Sequence, residues 1–534
     1  MSFRLNSIDP DKPSQISLFD TSFILSDRKK EALRKSWAAS FRNDILPNID
    51  EEPYRVLYDE EGSASRPNTP VNILIGASVL MAHCGFSEEE FEEALYFDIR
   101  FGHALGLDVL SEDAFSMRTL RRFRKRCADY MKQTGIDLIK QTSDSIADKL
   151  ASLMGIDKTQ RRMDSFMVSM TARDMGRREL IYNANKAIVC HLFKTGDTEG
   201  IQHMVHYTEA GDQNKVLYHV EEEYRQDRDE TLLKDASTLL TKCGDRYSDV
   251  EEYKVFSRII GEQTVSENGA LRWRKKEDGG FNSDMAQSTN DLDATYREKA
   301  GESYKGYVAN VEESVGEDGS LITSYSFEKN NASDKSMLEG QIENMEPQTE
   351  KTTMITDGGY DSDSAREKAE GKNIDIITTN LLGKDTDPVF GGFKFNEDGT
   401  SVISCPKGNK PDECRYNEKT RQCDLKFTKG QCNNCCFKDI CKPTGKNKKK
   451  VTVSKSKAER ARRQADMGTE EFKKAYRFRN GVEAIPSYFR TVLHVDHMYA
   501  YGIIRNSIAF GFRVIAFNMM KLTLFRKKQL VKCA

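Results

Sequence analysis

Residues 352–360 read TTMITDGGY, and the fold class follows from how this stretch is read. Thr352 to Thr356 are β-branched or apolar, the composition of a short strand. The run then stops at Asp357-Gly358-Gly359, where small residues favour a turn. An acid therefore stands at the end of a strand. Downstream, SAREKAEGK (364–372) reads as a helix and Ile374 to Thr379 as another strand. Upstream, Ser333 to Met345 reads as a helix. Before it, Lys305 to Val311 and Leu321 to Phe327 read as two strands joined across the hairpin turn GEDGS. Earlier still, Arg162 to Met170 is a short strand carrying Asp164. The order is strand, insert, strand, strand, helix, strand, helix, strand. It predicts a mixed five-stranded α/β sheet with one antiparallel hairpin. In such a sheet, neighbouring strands bring Asp164 and Asp357 to one edge although 193 positions separate them.

Helical sequence surrounds this core. VNILIGASVLMAHC (71–84) is apolar all round and predicts a buried helix. Ser87-Glu88-Glu89-Glu90 has the form of a capping box and opens a helix with Phe91, Ala94 and Leu95 on one side. A further helix from about Glu112 places Arg118, Arg121, Arg122 and Lys125 on one face, which suits either phosphate contact or plain solvation. Residues 172–285 return to charged helical sequence, where His203 and His206 read as structural or surface residues.

The chain has 534 residues, 38% hydrophobic and 31% charged, enough for two to four units with real cores. No N-terminal stretch combines a basic start with an apolar core, so secretion is not expected. The most apolar region, Met498 to Phe525, is interrupted by Arg505, Arg513 and Lys521 and predicts a buried helix instead of a membrane span. The net charge of −3 conceals an asymmetry. Lys442 to Ala534 carries about 22 basic and 6 acidic residues, and the rest of the chain is strongly acidic. Such a chain has a preferred surface for a polyanion.

Paired carboxylates at a sheet edge suit Mg²⁺, which prefers hard oxygen ligands. Two such ions can activate a water or a 3′-hydroxyl and stabilise the leaving oxygen of a phosphodiester. An ordinary Asp-Gly-Gly turn is the plainer reading. A third element adds to the pair: residues 475–490 read AYRFRNGVEAIPSYFR. On a helix, Tyr476, Arg479 and Glu483 share one face, where Glu483 can complete a metal site while Arg479 and Tyr476 hold phosphate oxygens.

These residues resemble the bacterial insertion-sequence transposases of the DDE type marked by a Tyr-x2-Arg-x3-Glu-x6-Lys signature. Tyr476, Arg479 and Glu483 match, and Arg490 stands where the family usually has Lys. Asp357-Gly358-Gly359-Tyr360-Asp361 matches the group's Asp-x-Gly-Tyr-Asp motif. Asp164-Ser165-Phe166 departs from its Asp-Ser/Gly-Thr motif at the third position. Asn290 to Tyr296 is similar to an Asp-Pro-Asp-Ala segment with Leu292 replacing Pro. Ala94 to Leu107 and the basic run 122–126 are similar to the group's helical entry domain, and the resemblance covers most of residues 70–525.

The resemblance implies an RNase H-like core in which Asp164, Asp357 and Glu483 bind Mg²⁺ or Mn²⁺. It implies that water attacks at each transposon end and that the freed 3′-hydroxyl then attacks target DNA. Double-stranded DNA, as terminal inverted repeats and target, is the implied partner. Arg118, Arg121, Arg122, Lys125, Tyr476, Arg479 and Arg490 would be its contacts. A homodimer pairing two ends and a cytoplasmic, nucleoid-associated bacterial location without membrane attachment are also implied. The expected organisation is an extension (1–69), a helical end-binding domain (70–150), a catalytic core split over 151–171 and 286–383, a helical insert (172–285), a Cys-rich and basic insert (384–469), and C-terminal helices completing the core (470–534). Two alternatives remain: a metal-dependent nuclease that cuts without joining, and a transposase-derived DNA-binding regulator without catalysis.

Cysteine usage adds one more expectation. Cys84, Cys127, Cys190, Cys243 and Cys533 are isolated, whereas seven of the twelve fall between 405 and 441. Cys432 and Cys435 form a Cys-x2-Cys pair, and with Cys405 and Cys441 they would close a structural Zn²⁺ site stabilising an otherwise coreless insert. Reduced thiols without metal and a redox role are the other readings. The basic run Lys442 to Arg463 reads as a sequence-independent phosphate contact or as a solvated linker.

Overall fold

The computed structural model describes residues 3, 5, 25–59, 67–107, 115–218, 221–299, 301–379, 381, 385–498 and 500–532. In chain order the main elements begin with helices α1 (Val71–Cys84), α2 (Glu88–Phe97), α3 (Met117–Thr134) and α4 (Leu138–Met154). Strand β1 (Gln160–Ser169) follows, then α5 (Arg177–Thr195), α6 (Arg225–Cys243) and α7 (Glu251–Gln263). Next come β2 (Thr264–Glu267), β3 (Ala270–Trp273), β4 (Thr295–Lys299), β5 (Glu302–Val315) and β6 (Ser320–Lys329). Helix α8 (Asp334–Asn344), β7 (Thr352–Thr356), α9 (Asp363–Glu370) and β8 (Ile374–Thr378) continue the alternation. The C-terminal third contains β9 (Glu413–Asn417), β10 (Gln422–Thr428), β11 (Lys448–Val453), α10 (Lys455–Asp466), α11 (Glu470–Asn480), α12 (Ala484–Thr491) and α13 (Ile503–Lys532).

The main sheet is mixed, in the order β4-β5-β1-β7-β8 with β6 also beside β5. All five expected strands are in it. A sixth, β4, pairs antiparallel with Glu302–Gly306. It escaped the sequence reading because TYREK is short and carries no apolar alternation. The chain divides into two compact units: residues 1–157, 165–333 and 485–534, and residues 158–164 with 334–484.

In the first unit, α1 is buried on every side, as an all-apolar sequence requires. Pro70 precedes it and has no side-chain cap to offer. Glu51 reaches across instead, and its buried carboxylate accepts from the backbone N–H of Val71 at 2.6 Å and of Asn72 at 3.2 Å. This is a capping interaction supplied from 20 residues upstream, with the charge of the sign that a helix N-terminus favours. The Ser87–Glu90 capping box forms at α2 as expected. The basic helix expected from about Glu112 is α3, which begins at Met117; residues 108–114 lie outside the described ones.

Helix α13 is the core helix of this unit. Phe510 packs on Phe327 and Phe489 at 5.3 Å between ring centres, and Phe166 joins the same cluster. The departure of Phe166 from the family's first-acid motif is thus a core residue, buried among aromatics. Asn518 on α13 pairs with the backbone N–H and carbonyl of Ile322 on β6, at 2.9 and 2.8 Å. Ile503–Gln529 is long and apolar enough by composition to cross a membrane, but 67% of its most apolar window is packed inside the protein. The segment 290–296 is structural: Asp291 accepts from the Tyr307 hydroxyl at 2.6 Å, and Asp293 accepts from the Ile503 N–H at 3.0 Å, where α13 begins. The stretch 172–285 is mainly helical with its own core, including Tyr182, Tyr207 and Phe256. It also contains the β2–β3 hairpin, which was not expected. His206 sits against Asp212 and Tyr207, and His203 beside Asp235.

In the second unit, the start of β1 runs parallel to β7, and β7 runs parallel to β8. Met163, Leu338, Ile342, Met354 and Ala369 fill the space between strands and helices. The Cys-rich region differs from expectation. It is not coreless: Phe393, Leu425, Phe427, Val451, Val453 and Ala458 form an apolar core under the three-stranded sheet β9-β10-β11. Nor is the basic run a linker. Lys448–Val453 is the edge strand β11, with Val451 and Val453 turned inward and Lys448 and Lys450 outward, and α10 follows directly. The helix expected over 475–490 is divided by a 3₁₀ turn at Gly481–Glu483.

Candidate active site

Strand pairing positions the two aspartates. On β1 and β7 the parallel register matches Gln160 with Thr353, Arg161 with Met354 and Arg162 with Ile355. Continued by two residues, that register sets Asp164 level with Asp357. Asp357 caps a short 3₁₀ turn, its Oδ1 accepting from the Gly359 N–H at 2.7 Å. A Cβ at Gly359 would lie 2.7 Å from the Asp334 carboxylate and 3.0 Å from that of Asp357, so the turn needs a glycine there. The last acid of the motif, Asp361, faces elsewhere. It pairs with Arg366 at 2.5 Å and lies 3.9 Å from Arg460, fastening the turn to α9 and α10.

Helix α11 and its 3₁₀ extension bring the third acid. One guanidinium organises all three. Nη2 of Arg479 lies 3.1 Å from Asp164 Oδ1 and 3.9 Å from Asp357 Oδ2, and Nη1 lies 2.9 Å from Glu483 Oε1. Arg479 is 12% exposed, whereas Glu483 is 60% exposed and Asp357 38%. The buried Nε of Arg479 has no hydrogen-bond partner among the described residues. Arg479 is thus sunk among three carboxylates, of which Asp357 and Glu483 remain solvent-accessible. Tyr476, one turn earlier on α11, is 49% exposed.

A feature passed over in the sequence braces this helix. Arg162, two residues before Asp164 on β1, donates from Nη1 to the Phe478 carbonyl at 2.6 Å and stacks over the Phe478 ring. A Cβ at Gly481 would fall 2.0 Å from that guanidinium, so any larger residue there would push the Arg162 brace aside. The only sequence signal for this was a basic residue on the acid's own side of the strand.

The other expected DNA contacts lie in the first unit. Arg490 donates to the Met167 carbonyl at 3.0 Å and stands 3.7 Å from Asp496. On α3, Arg118, Arg121, Arg122 and Lys125 are all exposed; Arg121 pairs with Glu88 and Lys125 with Asp129.

Cys405, Cys432, Cys435 and Cys441 line one small cavity together with Phe393, Phe427 and Val451. Burial, then the neighbouring Cys435, Cys405 and Cys432, push the Cys441 thiol up to about 11, and the Cys432 thiol rises for the same kinds of reason. Cys436 is exposed, while Cys414 and Cys423 sit on adjacent strands β9 and β10. The described cysteines are all free thiols, and Cys533 lies outside the described residues. As they stand, no three His, Cys, Asp or Glu side chains among the described residues are gathered closely enough to hold an ion.

Comparison with known families adds the identity. A family model described as Transposase DDE domain matches residues 404–523, and one described as Transposase domain (DUF772) matches residues 33–126. The first match includes the clustered cysteines, Arg479 and Glu483; the second includes α1, α2 and the basic face of α3. No curated protein and no solved structure matches the chain. With a transposase domain at each end of the described chain, this protein is a DDE transposase of the insertion-sequence type, an enzyme that acts on DNA.

Proposed function

We propose that Asp164, Asp357 and Glu483 are the catalytic acids of an RNase H-like core that cuts and joins DNA at the ends of an insertion sequence. The observation supporting this assignment is the single guanidinium of Arg479 set among all three carboxylates. Three hard-oxygen donors repel one another unless a cation stands between them, and their chemistry fits Mg²⁺ or Mn²⁺. When bound, such ions supply charge stabilisation at the reacting phosphate. The chain's own residues do the positioning. The β1–β7 register sets the two aspartates level, and the Arg162 brace fixes the turn that carries Glu483. Arg479 beside the acids, and Tyr476 with its half-exposed ring, are the groups for a DNA phosphate. The basic face of α3, with Arg118 and Arg122, tracks the terminal-repeat backbone, and two copies of the chain pair the two ends. Arg490, held in the first unit, adds a backbone contact.

The test is a reaction of purified protein with labelled terminal repeats, Mg²⁺ and a supercoiled target plasmid. Cleavage at the repeat followed by covalent joining to the plasmid is the expected result. Cleavage without joining supports the nuclease reading, and DNA binding with neither step supports the inactive regulator.

For the Cys-rich region we propose a structural Zn²⁺ held by Cys405, Cys432, Cys435 and Cys441. Support comes from the cavity that all four line, since a divalent cation drawing such thiols together converts them to thiolates. Zinc measured on purified protein should be about one per chain. It should be lost in Cys432→Ser and kept in Cys436→Ser, because Cys436 is exposed. Metal-free protein with all its thiols reactive overturns the site.

A further inference from the structure

The first unit contains a second site that the acid cluster does not use. Between α1, α2, α3, residues 494–498 and 500–501, and α13 lies a cavity of about 670 Å³, within the size range of small-molecule sites. Five cations line it, Arg121, Arg124, Lys125, Arg505 and Arg513, against one carboxylate, Glu88.

The charge balance inside is uneven. Glu88 is engaged by Arg121 at 2.5 Å and reaches Arg124 only at 3.5 Å. Arg124 otherwise donates to the Ser78 hydroxyl and the Met81 sulfur. Arg513 donates to the carbonyls of Leu493 and Ala509, both neutral. Burial, and then the neighbouring charge of Arg124, push the Arg513 guanidinium down to about 10. Arg505 is exposed at the rim. Two half-buried guanidiniums facing one cavity with a fraction of one carboxylate between them form an anion site, since a cation short of counter-charge attracts one. The remaining wall supplies flat apolar surface: Phe86, Phe512 and Tyr501, the last 48% exposed. Cations at depth beside aromatic faces at the mouth suit a phosphate with an attached base.

We propose that this cavity binds one nucleotide, its phosphate against Arg513, Arg124 and Arg505 and its base against Phe86 or Tyr501. Arg121 and Lys125 belong both to the cavity lining and to the basic face of α3. A duplex tracked by that face therefore passes the cavity mouth, where an unpaired or unstacked nucleotide can enter. The strand source rests on the DNA-binding reading above; a free mononucleotide offers the same chemistry.

The experiment titrates full-length protein with three probes: a blunt duplex of the terminal repeat, the same duplex with a one-nucleotide 2-aminopurine overhang, and free deoxyadenosine monophosphate. The overhang duplex should bind about tenfold more tightly than the blunt one, with a change in 2-aminopurine fluorescence. Arg513→Gln should abolish that preference. Arg505→Ala and Tyr501→Ala, both at exposed positions, should reduce it severalfold in folded protein while blunt-duplex binding persists. Mononucleotide binding that these variants weaken, without overhang preference, assigns the cavity to a free nucleotide. Blunt-duplex binding with neither overhang preference nor mononucleotide binding overturns the cavity while leaving DNA binding intact. Mononucleotide binding without any duplex binding upholds the cavity and overturns the DNA reading. Failure of all three probes overturns both.

Discussion

Asp357→Asn should lower terminal cleavage and strand joining by about a thousandfold, the scale on which removing one preorganised charge acts in a catalytic site, while leaving thermal stability close to that of the parent. The amide is isosteric, and its oxygen can still accept the Gly359 N–H that now bonds Oδ1 at 2.7 Å. The turn survives and only the negative charge is lost. Stability should even rise slightly in metal-free buffer, because one of three mutually repelling carboxylates has been neutralised. Asp361→Asn, four residues away in the same motif, provides the contrast. Its carboxylate pairs with Arg366 at 2.5 Å and is 13% exposed, so this variant should lose stability. Any loss of cleavage should follow from loss of folded protein. Rates from a single-turnover cleavage assay, set beside melting curves of both variants, distinguish the two roles. Full cleavage by Asp357→Asn removes Asp357 from the acid set.

The pair of aspartates was legible in the sequence because both of its determinants are local. Each strand ends at a turn-forming or small residue, and the alternation of strand and helix dictates parallel neighbours. The register offset of β1 and β7 equals the spacing between the two acids, so placing the strands was enough to place the carboxylates. Arg162 and Gly481 were not legible, because their contact joins positions 319 residues apart through a guanidinium and a missing Cβ. No periodicity encodes such a contact. The fold of the Cys-rich region was hidden for a different reason. Its strands are short, and β11 is written KKKVTV, a composition dominated by exposed lysines with only two inward valines. Charge counting found the basic run but not its role as an edge strand, where outward lysines also discourage pairing with other chains. The cavity behind α3 was missed because Arg124 and Arg513 come from helices 389 residues apart. On α3 the face considered was the outward one, whereas Arg124 points into the protein.

Arg479→Gln tests whether the arginine stands in for the charge that the acids otherwise require. In the metal-free protein it contacts Asp164 and Glu483 and lies 3.9 Å from Asp357. Removing it leaves three carboxylates facing one another without a cation. The pair with Asp164 has 12% and 15% side-chain exposure, and losing one partner of such a pair costs about 3 kcal/mol. Glu483, at 60% exposure, relaxes into solvent and contributes little. In chelator-treated buffer the melting temperature of the variant should therefore fall by several degrees. Mg²⁺ or Mn²⁺ should then restore more stability to Arg479→Gln than to the parent, since the ion no longer competes with a resident guanidinium for the same oxygens. Cleavage should still be poor at saturating metal, because the group offered to the DNA phosphate is absent. This combination, tighter response to metal with weaker catalysis, separates a charge placeholder from a purely structural arginine. A structural arginine would lower stability equally with and without metal. If the parent and Arg479→Gln respond identically to both ions, Arg479 does not share its oxygens with the metal, and the three acids must be reassigned.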